Sequence, residues 1–327
     1  MFLSRLARPT LRAARGAYTR NVHMQTNRAA SSFHNGARWS LAAIAAGGIG
    51  GAMLFGAAAQ AEDVPAAAPV ALSKKEWRAF KLKESAYISD NTKMLRFELP
   101  SPMHQMGISV ASCLTVKAPC GEDGKDLTRP YTPVSLNGQT GYLELIVKEY
   151  PPPGGLMSRH INSLKPGDTL EFKGPWQKFK YEANSKKAIA MICGGTGITP
   201  MLQVVREILG NPADKTEVSM IFGNVQEKDI LLRAELDALQ YLHSNFTVHY
   251  TLDKPPRSGW TGSKGFVTAD MVKEHAPAPG DDTMVLVCGP TPMVNAVAGP
   301  KEDKRKQGPI GGVLKDVGFT SEQVFKF

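Results

Sequence analysis

Cys193-Gly194-Gly195-Thr196-Gly197-Ile198-Thr199-Pro200 is the stretch whose reading decides the fold. Before it, Ala188–Ile192 is a short apolar run, the mark of a buried strand. After it, Met201–Leu209 carries apolar residues at helical spacing. Thr199 suits an N-cap and Pro200 the first helical position. Gly210 and Asn211-Pro212 stop the helix. The stretch therefore reads strand, glycine turn, helix. Glycines at 194, 195 and 197 let the backbone approach a ligand. The helix N-terminus behind them favours a phosphate or the electron-rich edge of a cofactor. Taken alone, the same stretch also reads as a tight turn that merely needs glycine.

Downstream the chain alternates. Glu217–Phe222, Phe246–Leu252 and Thr283–Cys288 read as strands. Asp229–Leu239 and Thr268–His275 read as helices, and a further helix follows Gly289-Pro290-Thr291-Pro292-Met293. That is a doubly wound parallel α/β domain over residues 183–327. Ligands in such sheets bind beyond the carboxyl ends of the strands. The turn at 194–200, the loop Gly223–Asp229 and the loop Cys288–Met293 all fall there.

Upstream, residues 75–182 have another rhythm. Phe80–Ser89, Lys93–Leu99, Ile108–Val116, Gly141–Tyr150 and Thr169–Phe172 are short runs of period-2 character. Asp90-Asn91, Asn137-Gly138 and Lys165–Asp168 are turn signals between them. The spacing predicts a small antiparallel β-barrel, with one helix at Leu156–Leu164.

The N-terminal part is different again. Residues 1–61 hold seven of the chain's 39 basic residues and no acid, leaving 32 basic against 30 acidic residues in the rest. The net charge of +9 is thus a property of the leader, and a nucleic-acid partner is not indicated. Residues 1–38 are rich in Arg, Ala and Ser, the pattern of a mitochondrial targeting leader. Residues 39–61 carry no charge and are long enough to span a bilayer, so a transmembrane or stop-transfer segment is expected there. A wholly cleaved sorting signal is the alternative. Residues 62–74 read as an Ala/Pro-rich linker. The expected location is mitochondrial, anchored in the outer membrane, with a processed intermembrane-space form as the alternative. The four cysteines make no CxxC pair and read as free thiols, and no cluster has metal-ligand spacing.

The barrel half carries Arg129-Pro130-Tyr131-Thr132-Pro133. Arg suits a pyrophosphate, Tyr a flat heteroaromatic ring, and a Thr hydroxyl a ring nitrogen. An ordinary strand start with a surface Arg is the alternative. Gly154-Gly155-Leu156-Met157-Ser158 opens the only helix of this half, a second anion-binding N-terminus. Two such clamps imply two nucleotide-like ligands meeting between the domains.

RPYTP, GGLMS, GGTGITPM, KDILLR and CGPTPM stand in the order used by the ferredoxin–NADP reductase superfamily. In detail the chain resembles the NADH–cytochrome b5 reductases, and with its leader it is similar to their fungal mitochondrial branch. The likeness covers about residues 75–327. It implies FAD in the barrel and NADH in the α/β domain. Arg129 and Pro130 would bind the FAD phosphates, with Tyr131 and Thr132 at the isoalloxazine. Val147, Lys148 and Tyr150 match the next flavin-contacting strand. Gly155, Met157 and Ser158 would hold the pyrophosphate, the serine by its hydroxyl as well. Thr199 would approach the flavin from the other domain. Gly194, Gly195, Thr196 and Gly197 would leave space for the nicotinamide, with Gly289, Pro290 and Met293 beside it. Thr132, Lys148 and Cys288 would surround the reacting atoms, Cys288 by packing and orientation. The resemblance implies cytochrome b5 or a similar haem protein as acceptor.

Asp229 follows the second α/β strand, where a carboxylate would accept from a ribose 2′-hydroxyl and repel a 2′-phosphate. It serves equally as a helix cap. The chain departs from the family at Arg159 (usually Gln), Cys193 (commonly Ala), Thr291 (usually Pro) and the short loop Tyr150–Pro153. The Lys301–Lys306 run reads as a solvated loop, with a docking patch as alternative. An NADPH-dependent reductase and a nucleotide-binding scaffold are the competing functions.

Overall fold

The strand Arg78–Ser89 (β1) sets the frame of the first half in the computed structural model, which describes residues 68–303 and 306–327. The expected leader (1–38), membrane segment (39–61) and residues 62–67 of the linker lie outside those residues. Among the described residues no helix is long and apolar enough to cross a membrane. The other strands of this half are Thr92–Glu98 (β2), Ser112–Ala118 (β3), Leu127–Tyr131 (β4), Tyr142–Lys148 (β5) and Thr169–Gln177 (β6). They pair antiparallel in the order β4-β3-β6-β1-β2-β5. Val134 N–H donates to Glu144 O at 2.9 Å, joining the chain after β4 to β5 and closing the barrel. Alternation turns Phe80, Leu82, Leu95, Phe97, Leu143, Leu145 and Phe172 inward, all essentially buried. Phe172 packs on Phe80 and Phe97 at ring-centroid distances of 5.4 and 5.1 Å.

Three elements of this half differ from expectation. β3 begins at Ser112, not Ile108, because Ala111 takes a left-handed φ of 57°. β6 runs on to Gln177. β4 entered the expectations only as the alternative, a strand start with a surface Arg, since Leu127-Thr128-Arg129-Pro130-Tyr131 is polar and contains a proline. Its place at the end of the hydrogen-bonded strand order is where a residue without an N–H is tolerated. The helix Leu156–Ser163 (α1) follows β5.

The second half contains Ala188–Gly194 (β7), Ile198–Gly210 (α2), Glu217–Asn224 (β8), Arg233–Leu242 (α3), Phe246–Leu252 (β9) and Ser263–Lys264 (β10). It continues with Ala269–His275 (α4), Thr283–Cys288 (β11), Thr291–Ala298 (α5), Gly312–Val317 (α6) and Val324–Lys326 (β12). The sheet is parallel, in the order β10-β9-β8-β7-β11-β12. The chain steps outward from β7 to β10, then crosses back to lay β11 and β12 on the other side. The reversal therefore lies between β7 and β11. α3 starts later than expected because Leu232 is left-handed and Asp229 belongs to a separate short turn, Glu227–Asp229. β10, α6 and β12 were too short to leave a periodic signal.

The helix α2 joins the two halves. Ile198, Met201 and Leu202 share one apolar cluster with Val134 and Ile146 of the barrel. Gln203 is buried at the centre of that contact. Its Oε1 accepts from Ser112 N–H at 3.0 Å, and its Nε2 donates to Ser112 O at 3.3 Å and Pro133 O at 2.9 Å. One turn on, the Arg206 guanidinium donates to Val134 O and to Glu235. At the surface Lys228 meets Asp90 of the β1–β2 turn at 2.5 Å. Replacing Gln203 by Leu leaves three buried backbone groups without partners. It should lower unfolding free energy by about 1–3 kcal/mol, read from urea denaturation of the full chain.

Candidate functional site

β7 is buried along its whole length and ends where the strand order reverses. Cys193 stands in register with Cys288 of β11 and Phe222 of β8. Beyond it, Gly195–Gly197 forms a single tight turn leading into α2. The three glycines serve different ends. A Cβ on Gly197 would overlap the Cys288 carbonyl oxygen and come within 2.9 Å of Gly289 N, so its bareness lets two loops touch backbone to backbone. A Cβ on Gly194 would meet Met293 Sδ at 2.5 Å and Pro290 Cδ at 3.3 Å. Gly289 is equally close, 3.0 Å from Met293 Sδ and 3.2 Å from Gly194 N. Only Gly195, with φ of 52°, faces open space. The three glycines, expected together to leave space for a ligand, differ in surroundings: Gly195 borders open space, with half-exposed Thr196 beside it, while Gly194 and Gly197 interlock with Cys288–Met293.

Thr199 is not the N-cap. α2 begins at Ile198 with Gly197 as its cap residue, and the Thr199 hydroxyl donates back to Thr196 O at 3.1 Å. Thr199 is buried, 7% exposed. Burial pushes the Cys288 thiol up to about 12, which keeps it protonated at neutral pH and suits positioning rather than nucleophilic attack. Burial also raises the thiol of Cys193, which is fully buried.

Two carboxylates lie at the carboxyl ends of β8 and β9. Asp229 Oδ2 accepts from Gln226 N–H at 3.0 Å, so the capping role is realised. Asp253, directly after β9, is exposed, and none of the hydrogen bonds or ion pairs seen in the structure involves its carboxylate; its pKa is raised by partial burial. Between them, Asn224 ends β8 with a buried Nδ2 that has no partner. A shallow depression lined by Gln226, Glu227, Lys228, Arg233, Lys254 and Pro256 opens beside them. Asp253 and Asn224 were missed in the sequence because neither stands in a motif.

On the barrel side, Arg129 and Pro130 are exposed on β4, with the Arg129 guanidinium donating to Thr128 O at 2.8 Å. Tyr131 and Thr132 are half-buried, and burial pushes the Tyr131 phenol above its ordinary range. β5 lies against the Gly195–Gly197 turn, which brings the two expected cofactor strands together. Lys148 is half-buried at the end of β5. Val147 is turned into the barrel core, so only its backbone is offered. Gly155 caps α1 with φ of 69°, and a Cβ there would overlap the Tyr150 carbonyl oxygen. No side chain caps this helix, so its first N–H groups are left for an anion. Met157 packs into the barrel core. Ser158 is corrected in one respect: its hydroxyl donates to Gly155 O at 3.0 Å and accepts from Tyr150 N–H at 3.3 Å. A pyrophosphate there would meet backbone N–H groups, with Arg129 as the nearby cation. These residues fit a flavin dinucleotide: an uncapped helix start, a glycine cradle, an exposed Arg on the edge strand and a half-buried Tyr.

An antiparallel barrel joined by one helix to a parallel sheet, with glycine cradles on both, defines a two-domain flavin- and nicotinamide-nucleotide oxidoreductase. The family description "Oxidoreductase FAD-binding domain" matches residues 79–181 and "Oxidoreductase NAD-binding domain" residues 191–299. The chain belongs to the NADH–cytochrome b5 reductase family. It is 47% identical over 261 residues to an NADH-cytochrome b5 reductase-like protein of Arabidopsis thaliana, covering 79% of this chain and 78% of that protein. It is 42% identical to NADH-cytochrome b5 reductase 2 of Emericella nidulans, covering 87% and 89%. The crystal structure of the cytochrome b5 reductase domain of Ulva prolifera nitrate reductase superposes with a TM-score of 0.69 at 33% identity, covering 79% of this chain and 99% of that one.

Because the Cys288 thiol is held near 12, it is neutral through pH 7–9 and its thiolate appears only as pH approaches 12. Iodoacetamide at pH 8 should therefore label Cys288 at least about tenfold more slowly than an unperturbed cysteine, measured by peptide mass spectrometry.

Proposed function

We propose that this reductase takes a hydride from NADH at the crevice between β7 and β11 and delivers electrons singly to cytochrome b5 or a similar small haem protein. The observation that carries the reading is the contact of β5 with the Gly195–Gly197 turn, which sets the barrel's cofactor strand against the open glycine of the switch point. Bound FAD supplies the chemistry that turns a two-electron input into one-electron output.

The chain's own residues bind and orient. Arg129 and the first N–H groups of α1 hold the pyrophosphate. Tyr131 would pack on the flavin ring, and the Thr132 hydroxyl and Lys148 ammonium would supply hydrogen bonds to its polar atoms. Gly195 and Thr196 admit the nicotinamide, while Cys288, Gly289, Pro290 and Met293 form its other wall. Thr199 fills the space between ring and helix and excludes water. Near the adenosine ribose, Asp229 keeps one oxygen beyond its cap bond, and Asp253 offers a whole carboxylate. Both favour a 2′-hydroxyl over a 2′-phosphate.

For location we propose a mitochondrial protein held in the outer membrane by residues 39–61, with a processed intermembrane-space form. The acid-free leader and the uncharged stretch after it support this reading.

Purified full-length chain should show a flavin spectrum that bleaches rapidly with NADH and slowly with NADPH in the absence of oxygen; no flavin, or equal bleaching, overturns the reading. Arg129→Ala should lose most of its FAD, read from the ratio of flavin to protein absorbance. Asp253→Thr should reduce the NADH-over-NADPH preference by about tenfold or more, and Asp229→Thr by less, since half of its carboxylate already serves the turn. Parallel KM and kcat measurements with both nucleotides check the order.

A further inference from the structure

Lys326, the penultimate residue, is 2% exposed. Its Nζ, with three N–H groups, lies within hydrogen-bond distance of four backbone carbonyls: Pro300 at 3.0 Å, Pro309 at 3.2 Å, Gly299 at 3.4 Å and Ala298 at 3.5 Å, one N–H being shared. The first, third and fourth belong to the carboxyl end of α5, where carbonyls lack partners inside the helix. A cation at that end also meets the negative pole of the helix. The remaining partner, Pro309, lies on the returning loop. The Lys326 backbone fastens the same loop: its N–H donates to Gln307 Oε1 at 2.7 Å, and its carbonyl accepts from Lys301 Nζ at 3.0 Å. Lys301 is thus turned inward instead of lying in a fully solvated run. Burying an ammonium is costly, and here burial, with Lys301 nearby, lowers the Lys326 pKa. An apolar side chain would fill the space at less cost but remove the ammonium from the Gly299, Pro300 and Pro309 carbonyls, leaving Ala298 O its bond from Gly311 N–H at 3.0 Å.

The other end of α5 carries Met293, the residue against Gly194 and Gly289. The helix has eight residues, about 12 Å at 1.5 Å each. A shift at its carboxyl end is therefore passed along a rigid rod to the wall of the crevice. In parallel, Lys326 stands in register with Val287 on β11, one residue before Cys288.

We propose that Lys326 is a positioning residue for NADH: its ammonium sits in a cage of four carbonyls and fixes α5, so that Met293 and the loop Cys288–Pro290 stay seated on Gly194. The inference rests on the reading of that crevice as the nicotinamide site. The cage is oxygen-lined and suited to a monovalent cation, which the chain supplies from its own end.

The test uses full-length chain with Lys326→Ala, Lys326→Met and, as a control on the crevice, Gly194→Ala. Flavin occupancy, NADH KM and kcat with an artificial one-electron acceptor are measured, together with tryptic cleavage after Lys301 and Lys306. Both Lys326 variants should keep their flavin, raise KM for NADH on the order of tenfold with kcat changed by less than about threefold, and be cleaved faster in the loop. Adding n-propylammonium, the part removed in Lys326→Ala, should restore KM and protease resistance in that variant. It should not do so in Lys326→Met, where the cage is filled, and tetramethylammonium at equal ionic strength should restore neither. A wild-type KM in Lys326→Met, loss of flavin in both variants, or no rescue by n-propylammonium overturns the proposal. An unchanged KM in Gly194→Ala shows instead that the crevice itself was misread, and the proposal falls with it.

Discussion

The constraint on which the crevice depends is the meeting of two main chains, Gly197 against the Cys288 carbonyl and Gly289. Any side chain at 197 would force the first βα turn away from the loop after β11. These loops lie on either side of the strand-order reversal, so the width of the crevice is set here by main-chain contact and not by adjustable side chains. The in-register pairing of β7 with β11, from Thr283–Ala188 to Cys288–Cys193, delivers both loops at the same height. Met293 then fills the angle between Gly194 and Gly289.

The same helix that starts at this turn organises the barrel. α2 offers apolar residues to Val134 and Ile146, and a single buried amide, Gln203, to three backbone groups. Such a polar group within an apolar contact has value only if every partner is in place, and here all are. It specifies one docking geometry where apolar packing alone would tolerate sliding. The segment it holds includes Pro133, the last residue of the Arg129–Pro133 stretch. Flavin-side and nicotinamide-side residues are thereby referred to one rigid element.

The two-domain architecture was legible because it depends on periodicity: alternation up to β6, then strands and helices in turn. The glycine turn, the RPYTP segment and the CGPTPM loop were legible because motif order carries information that one motif lacks. What stayed hidden has a common character. β4 is polar and contains Pro130, so no hydrophobic pattern marks it. Ser158 was assigned a hydroxyl for the pyrophosphate and Thr199 an N-cap role, but each hydroxyl donates to a carbonyl of its own turn, Gly155 O and Thr196 O. The reason for each glycine was also invisible, because Gly194, Gly195 and Gly197 look alike in sequence and differ only in what lies opposite. Gln203 left one trace, a polar residue in the apolar row Met201–Val205. Lys326 left none, since a lysine beside a chain end reads as solvated.

The grip of Gln203 on Pro133 and Ser112 also orders the birth of the protein. The barrel strands span residues 78–177 and emerge from the ribosome first, in one contiguous piece. The donor that satisfies Pro133 and the guanidinium that satisfies Val134 stand at 203 and 206, beyond the barrel and after the first strand of the next domain. A nascent chain that has finished only its barrel holds a flavin segment with two carbonyls still open. The Pro133 and Val134 carbonyls thus find their protein donors only once residues 203 and 206 have been added.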